Sequence, residues 1–322
     1  MKKYPSIVIG LFILFAIPVQ AGSWLAYQIN TKQVKTLNFD PNLRPMAVVG
    51  PDDRVDITGQ ENPTGRAVVT LAGLAKDKRG KEKEVEFCSG SLVAPRVVLT
   101  AAHCLVMKGQ FIPSVRVYAV GMPYRSIHRQ VEGYKITGFN GLKPIIERAG
   151  REVARRDPSY GPLLSANATE LWVPKEYVPY SNKESMNAQE VSKIESYDFA
   201  FIILDNPLGK RTGYLDVAMR KKNLTNLRII VTGRGGDRPV HSLWQAEGVI
   251  KKGDGRIFYH NADMVGGNSG GAITAKDDPT TIFALSNFGP MQEHVTGGYP
   301  NGGALINQNV LNALDNARAQ TL

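Results

Sequence analysis

Three short fragments of the chain carry groups that could do chemistry together. Leu99-Thr100-Ala101-Ala102-His103-Cys104 holds a histidine beside a cysteine. Tyr197-Asp198-Phe199-Ala200 holds a carboxylate at the head of an apolar run, and Gly266-Gly267-Asn268-Ser269-Gly270-Gly271 holds a serine inside a glycine string. Taken singly they are ambiguous: His103 could be a packed structural residue, and the glycine string a turn or a phosphate cradle. A dinucleotide cradle needs a strand, G-x-G-x-x-G and then a long helix, whereas these glycines lie between short apolar runs. Nucleophilic catalysis accounts for all three. A serine hydroxyl is a weak nucleophile at neutral pH and needs a neighbouring base. Histidine has the proton affinity for that role, and an aspartate behind the imidazole fixes its tautomer and stabilises the imidazolium. Glycines around the serine permit a tight turn whose backbone N–H groups converge on a developing oxyanion. The chain order His103, Asp198, Ser269 is one that convergent triads use.

With Phe87-Cys88-Ser89-Gly90-Ser91-Leu92-Val93 added, the fragments resemble the trypsin/chymotrypsin-like serine endopeptidases. The form Gly-Gly-Asn-Ser-Gly is similar to their bacterial, glutamyl-endopeptidase-like branch, and Asp53-Arg54-Val55-Asp56-Ile57-Thr58 is similar to the start of the mature enzyme there. The resemblance covers roughly residues 48–135 and 195–320. It implies two six-stranded β-barrels with the site in the cleft between them, His103 and Asp198 coming from the first and Ser269 from the second. It implies an oxyanion hole from Gly267 and Ser269, hydrolysis through an acyl-enzyme, and a zymogen history. It also implies a disulfide between Cys88 and Cys104, against the alternative of two buried free thiols.

The chain departs from the family pattern in places. His103 and Asp198 are about twice as far apart in sequence as the family usually needs, and Glu195 is an alternative acid near the same strand. Asn268 stands where trypsin-like zymogens place the aspartate that pairs with the new amino terminus, and a neutral amide cannot make that ion pair. Asp263, six residues before Ser269, matches the pocket floor of trypsin, which suggests cleavage after Arg or Lys. The alternative is that Asp263 supports the nucleophile loop by hydrogen bonds. Where glutamyl endopeptidases carry a pocket His and a Thr or Ser, this chain has Ser286 and Met264, which weakens a Glu preference. Gly289, Gly302 and Gly303 are pocket-wall or turn candidates. His128, His241, His260 and His294 lack metal-ligand spacing and read as surface or packed residues, so no metal and no cofactor is expected.

The elements that must position these groups read as strands. Short apolar runs separated by Gly, Pro, Asn and Asp recur at Ala67–Leu74, Gly90–Thr100, Val115–Gly121, Phe199–Leu204, Leu227–Thr232, Ile257–His260, Ala272–Thr274 and Ile282–Asn287. That spacing predicts an all-β barrel or sandwich. Residues 141–195 interrupt it as an insertion that is partly helical: Pro144 opens a segment with Ile145, Ala149 and Val153 on one helical face, closed by Asp157-Pro158. Arg148, Arg151, Arg155 and Arg156 crowd this segment, as a solvated face or a docking surface for an anionic partner. After Asn307, the spacing of Val310, Leu311, Leu314 and Ala317 predicts a terminal amphipathic helix.

At the amino end, Lys2 and Lys3 precede an apolar run from Ile7 to Ile17, and Val19-Gln20-Ala21 offers a cleavage site. This reads as a signal peptide over 1–21 rather than an anchor, making the protein secreted or periplasmic, where disulfides form. Residues 22–47 read as a propeptide or loosely held extension, and 48–322 as the protease domain. In 322 residues, 43% hydrophobic and 21% charged residues give ordinary globular composition. Two cysteines exclude a disulfide-dense miniature scaffold and a four-Cys zinc site. The net charge of +10 names no partner by itself. The expected partners are protein or peptide substrates, with no requirement for nucleic acid, no stable membrane span after the leader is removed, and the oligomeric state open. Two other functions compete: an inactive homologue that binds protein or anionic partners, and a basic protein that binds anionic surfaces.

Overall fold

The computed structural model describes residues 24–29, 46, 48–49, 51–76, 82–122, 126–140, 143–156, 163–182, 188–220, 224–253, 255–288 and 301–321. From the amino end the elements are β1 (Trp24–Gln28), β2 (Val55–Asp56), helix α1 (Pro63–Ala67), β3 (Val68–Lys76), β4 (Glu82–Ala94) and β5 (Val97–Thr100). A 3-10 turn at Ala102–Cys104 leads to β6 (Val106–Met107), β7 (Gln110–Phe111), β8 (Arg116–Tyr118), β9 (Ser126–Asn140) and β10 (Lys143–Arg156). Then come β11 (Ser165–Pro174), α2 (Ala188–Glu195), β12 (Ala200–Leu204), α3 (Gly209–Thr212) and β13 (Asp216–Val217). The carboxyl half holds β14 (Arg228–Gly233), β15 (Trp244–Gly253), β16 (Ile257–His260), β17 (Ala272–Ala275), β18 (Asp278–Phe288), β19 (Asn301–Leu305) and α4 (Gln308–Gln320).

Two rings close. In the first, β11, β12, β5, β4, β3 and β8 pair in that order, and β8 returns to β11 through Ser165↔Tyr118. In the second, β18, β17, β14, β15, β16 and β19 pair in order, and β19 returns to β18. Every pairing in both rings is antiparallel. This is the chymotrypsin-like pair of six-stranded barrels that the resemblance implies.

The run Phe199–Leu204 is almost wholly apolar because β12 is buried on both faces. Ala200, Ile202 and Leu204 join the interior cluster of the first barrel with Leu71, Leu92 and Val117. Phe199, Phe201 and Ile203 join a second cluster that reaches Leu285 and Ile282 of β18 and Val310 and Leu314 of α4. The strand bearing Asp198 at its head is thus wedged between its own barrel and the elements packed outside it, burial that fixes backbone position tightly. The terminal helix forms as its spacing predicts, with Asn307 as cap accepting the Val310 N–H (3.2 Å) and with Val310, Leu314 and Ala317 buried. Capping of this kind contributes about 1 kcal/mol.

Three expectations change. The segment 143–156 is not a helix: β10 pairs antiparallel with β9 from Lys143↔Asn140 to Arg156↔Ser126. Positions 145, 149 and 153 are four apart, a spacing shared by one face of a helix and one face of a strand, and the neighbouring strand decided between them. The helical part of the insertion is α2 instead. The inserted region also supplies β11, a strand of the first barrel, so it is not wholly an addition. Finally, part of the segment 22–47, read as a propeptide or loosely held extension, is paired: β1 extends the edge of β11 from Trp24↔Pro174 to Gln28↔Glu170, and Tyr27 stacks on Phe111 with ring centroids 4.8 Å apart.

Candidate active site

His103 sits in the 3-10 turn just after β5, and Asp198 just before β12, which pairs with β5 through Ala200↔Thr100. That register brings two residues far apart in sequence face to face. The Asp198 carboxylate takes both donors of the histidine: Oδ1 accepts the backbone N–H of His103 at 2.9 Å, and Oδ2 lies 2.6 Å from Nδ1. With the Nδ1 proton directed at the carboxylate, Nε2 is left as the acceptor, the tautomer a general base requires. Burial pushes the Asp198 carboxyl up, but the His103 charge and hydrogen bonds and a bond from Asn287 outweigh it and hold the group below the usual carboxylate range. The backbone carbonyl of the alternative acid, Glu195, accepts the N–H of Asp198 (3.2 Å).

Cys88 and Cys104 are joined in a disulfide with Cα atoms 6.2 Å apart. The bond ties β4 to the turn that carries His103. Although Cys88, His103 and Cys104 cluster closely, both sulfurs are spent in that bond and offer no thiolate to a metal.

Ser269 lies in the turn between β16 and β17. Gly267 and Gly270 adopt φ of 105° and 76°, a region L side chains rarely enter. At Gly270 a Cβ would also come within 2.2 Å of Thr100 Oγ1 and 2.4 Å of the Ser89 carbonyl, so only glycine lets the nucleophile turn press against the first barrel. The contact is held by hydrogen bonds: Ser89 N–H donates to the Ser269 carbonyl (2.8 Å), and Gly270 N–H to the Ser286 carbonyl (2.7 Å). The Cys104 sulfur lies 3.8 Å from the same Ser269 carbonyl oxygen. Among the described residues no group takes up the backbone N–H of Gly267 or of Ser269, the condition an oxyanion hole must meet. Nor does the Ser269 hydroxyl hydrogen-bond to His103 there.

Asn268 uses its side chain locally, Oδ1 accepting the Val265 N–H (3.0 Å). Ser286 is fully buried with Oγ 3.2 Å from Met264 Sδ. Gly289 and His294 lie outside the described residues, as does the side chain of His128. Asp263 is buried, and its carboxylate accepts the Val49 N–H (2.6 Å) and the Asp53 N–H (3.2 Å). Burial, with the nearby Asp53 and Asp52 charges, pushes this carboxyl above its ordinary value despite those bonds.

Sequence reading missed three groups. Asn287, on β18, crosses between barrels, its Nδ2 donating to the Asp198 carbonyl (2.5 Å). Arg54 is buried between Asp52 (2.7 Å) and Asp237 (2.6 Å), tying the 52–54 segment to the 235–237 turn. Glu86 is a buried carboxylate met by Arg234 Nε (2.8 Å) and His241 Nδ1 (2.5 Å). Burial raises it, but the His241 bond and the Arg234 charge lower it further than that. No motif announces these groups, since Asn287 and Asp198, Arg54 and Asp237, and Glu86 and Arg234 are each far apart in sequence.

A family model described as Trypsin matches residues 57–140. A glutamyl endopeptidase of Bacillus licheniformis is 23% identical over 288 residues, 87% of this chain and 71% of that one. A glutamyl endopeptidase of Staphylococcus aureus is 33% identical over 89 residues, 28% of this chain and 25% of that one. Among solved structures, a Glu endopeptidase in complex with MPD superposes with a TM-score of 0.54 at 23% identity, covering 85% of this chain and 100% of that one. The protease Anisep from Arthrobacter nicotinovorans gives 0.51 at 15% identity, covering 80% and 98%.

Proposed function

We propose that this chain, a trypsin-like serine endopeptidase similar to the glutamyl-endopeptidase branch, cleaves peptide bonds through Ser269, His103 and Asp198. One observation carries the assignment: a single buried carboxylate grips both donors of His103 (2.9 and 2.6 Å) beside a glycine turn with two N–H groups that no group among the described residues takes up. Ser269 Oγ attacks the substrate carbonyl carbon while His103 Nε2 takes its proton. The carbonyl oxygen, now anionic, is met by the N–H groups of Gly267 and Ser269. The C–N bond breaks as His103 returns the proton to the leaving amine, and water repeats the sequence on the acyl-enzyme.

The leader over 1–21 and the disulfide support export. The likeness of Asp53–Thr58 to a mature start supports removal of residues 22–47, with the active form beginning near 46–49. Intact-mass measurement of active protein tests this, and full activity in a form beginning at Gly22 would overturn the propeptide.

For the residue before the scissile bond, an Asp263 already holding two backbone N–H groups gives little support to a preference for Arg or Lys. The relatives are named for Glu. Turnover on matched Arg, Glu and Leu peptides separates these specificities.

A second reading, an inactive homologue that binds protein or anionic partners, draws on the missing hydrogen bond between Ser269 and His103. A serine-directed fluorophosphonate decides between them. An adduct mapped to Ser269 by mass spectrometry supports the protease. An unlabelled Ser269 in folded, fully processed protein overturns it.

A further inference from the structure

We propose that Ser89, on β4 of the first barrel, is a positioning residue for the oxyanion hole of the second. The inference deepens the protease reading and rests on it. Ser89 is fully buried, and its hydroxyl both donates and accepts a hydrogen bond. Oγ donates to the carbonyl of Gly267 (2.8 Å) and accepts the backbone N–H of Arg234 (2.8 Å). Its own N–H donates to the carbonyl of Ser269 (2.8 Å), and its carbonyl accepts Thr100 Oγ1 (2.7 Å). One side chain and its backbone therefore touch the carbonyls of both residues whose N–H groups face the oxyanion.

The reason such a clamp matters is the freedom of the glycines. A peptide unit is planar, so fixing its C=O fixes the N–H at the other end. The N–H of Gly267 belongs to the plane that carries the Gly266 carbonyl, and that carbonyl is held by the Gly236 N–H (2.7 Å). Gly236 in turn stands two residues after Arg234, whose N–H is bound to Ser89 Oγ. The hydroxyl thus holds Gly267 from one side through its carbonyl, and from the other through the start of the 234–236 turn. Gly267 has no side chain to hold it, and a Cβ there would lie 2.9 Å from the Arg234 carbonyl. Without the hydroxyl, the buried carbonyl of Gly267 and the N–H of Arg234 both lose their bond to Ser89, and turning the peptide planes is the cheapest way to replace it. Arg234 cannot follow freely, because its guanidinium is committed to Glu86 (2.8 Å).

Ser91 supplies the control. It is buried on the same strand, and its Oγ has no partner among the described residues. The experiment compares fully processed wild type, Ser89→Ala and Ser91→Ala on one peptide substrate and one peptide boronate, which forms a tetrahedral adduct on the nucleophile. Ser89→Ala is expected to lower kcat by about 10- to 100-fold, to leave KM within about twofold, and to weaken the boronate by a factor similar to the loss in kcat/KM. Ser91→Ala should match wild type. KM and boronate affinity do not depend on the fraction of folded enzyme, so a partly unfolded Ser89→Ala sample still answers the question. Unchanged boronate affinity in Ser89→Ala overturns the role, as does an equal loss in Ser91→Ala. A wild type that fails to label with the fluorophosphonate overturns the protease reading itself, and the role of Ser89 with it. A labelling wild type beside an unimpaired Ser89→Ala overturns the role alone.

Discussion

Asp198 holds His103 by two bonds at once, one to the backbone N–H (2.9 Å) and one to Nδ1 of the ring (2.6 Å). The carboxylate is therefore a structural anchor of the turn as well as the electrostatic partner of the imidazole. Asp198→Asn keeps the shape but presents an amide to Nδ1, which favours the wrong tautomer. It should lower kcat by about 10⁴-fold, while Glu195→Gln stays within about twofold of wild type. Equal losses in the two variants, measured with fluorophosphonate-titrated enzyme, would reassign the acid.

Ser269→Ala should remove hydrolysis, a loss on the order of 10⁶ in turnover, and leave an unfolding midpoint close to wild type. His103→Ala should lose about as much, and the double variant barely more, because the pair acts as a unit. Additive losses in the double variant would show that the two residues do not share one step.

Acid stability should depend on His260. This ring is fully buried in the second barrel, beside Phe258, and neither of its nitrogens has a partner among the described residues. Burial pushes it down to about 3. The unfolded chain binds the proton near pH 6.5 and the folded chain only near 3, so the contribution is complete above 6.5 and is lost as pH falls between the two. The slope from this group approaches about 1.4 kcal/mol per pH unit. In urea titrations His260→Phe should lose less stability than wild type between pH 6 and about 4, and parallel curves would refute the assignment.

Replacing both Cys88 and Cys104 by Ala releases the loop that β4, β5 and the His103 turn close together. The closed loop spans a sequence separation of 16, for which the chain-entropy model gives about 3 kcal/mol of lost stability. The turnover of the folded fraction should fall as well, because the bond steadies the His103 turn. A variant with unchanged midpoint and unchanged kcat, by denaturant titration and active-site titration, would leave the disulfide without either role.

Arg54 offers a test of the amino-terminal segment. Its guanidinium is buried between Asp52 and Asp237, which are about 35% and 44% exposed. Because these carboxylates keep part of their water, Arg54→Met should cost only about 1–3 kcal/mol. Arg54→Lys should recover little, since a point charge cannot make the forked contacts. Full recovery in the lysine variant would show that charge alone, without geometry, joins the segment to the 235–237 turn.

How much of this was legible beforehand follows from the range of each interaction. The triad candidates, the glycine turn, the terminal helix and most strands were visible because they are local: a residue type, a period or a capping residue within a few positions. In segment 143–156 a spacing of four suits a helix face and a strand face equally, and only pairing with β9 selects the strand. β11 was hidden inside what looked like an insertion, since its membership in the first barrel is a matter of which strands it meets. The nature of the candidate site was written in the sequence, but its support was not. Ser89 against Gly267, Asn287 against Asp198, and Arg54 against Asp237 join residues 178, 89 and 183 positions apart. Such contacts are satisfied hydrogen bonds between buried polar groups, and no local pattern announces a partner that only the closure of two barrels brings within reach.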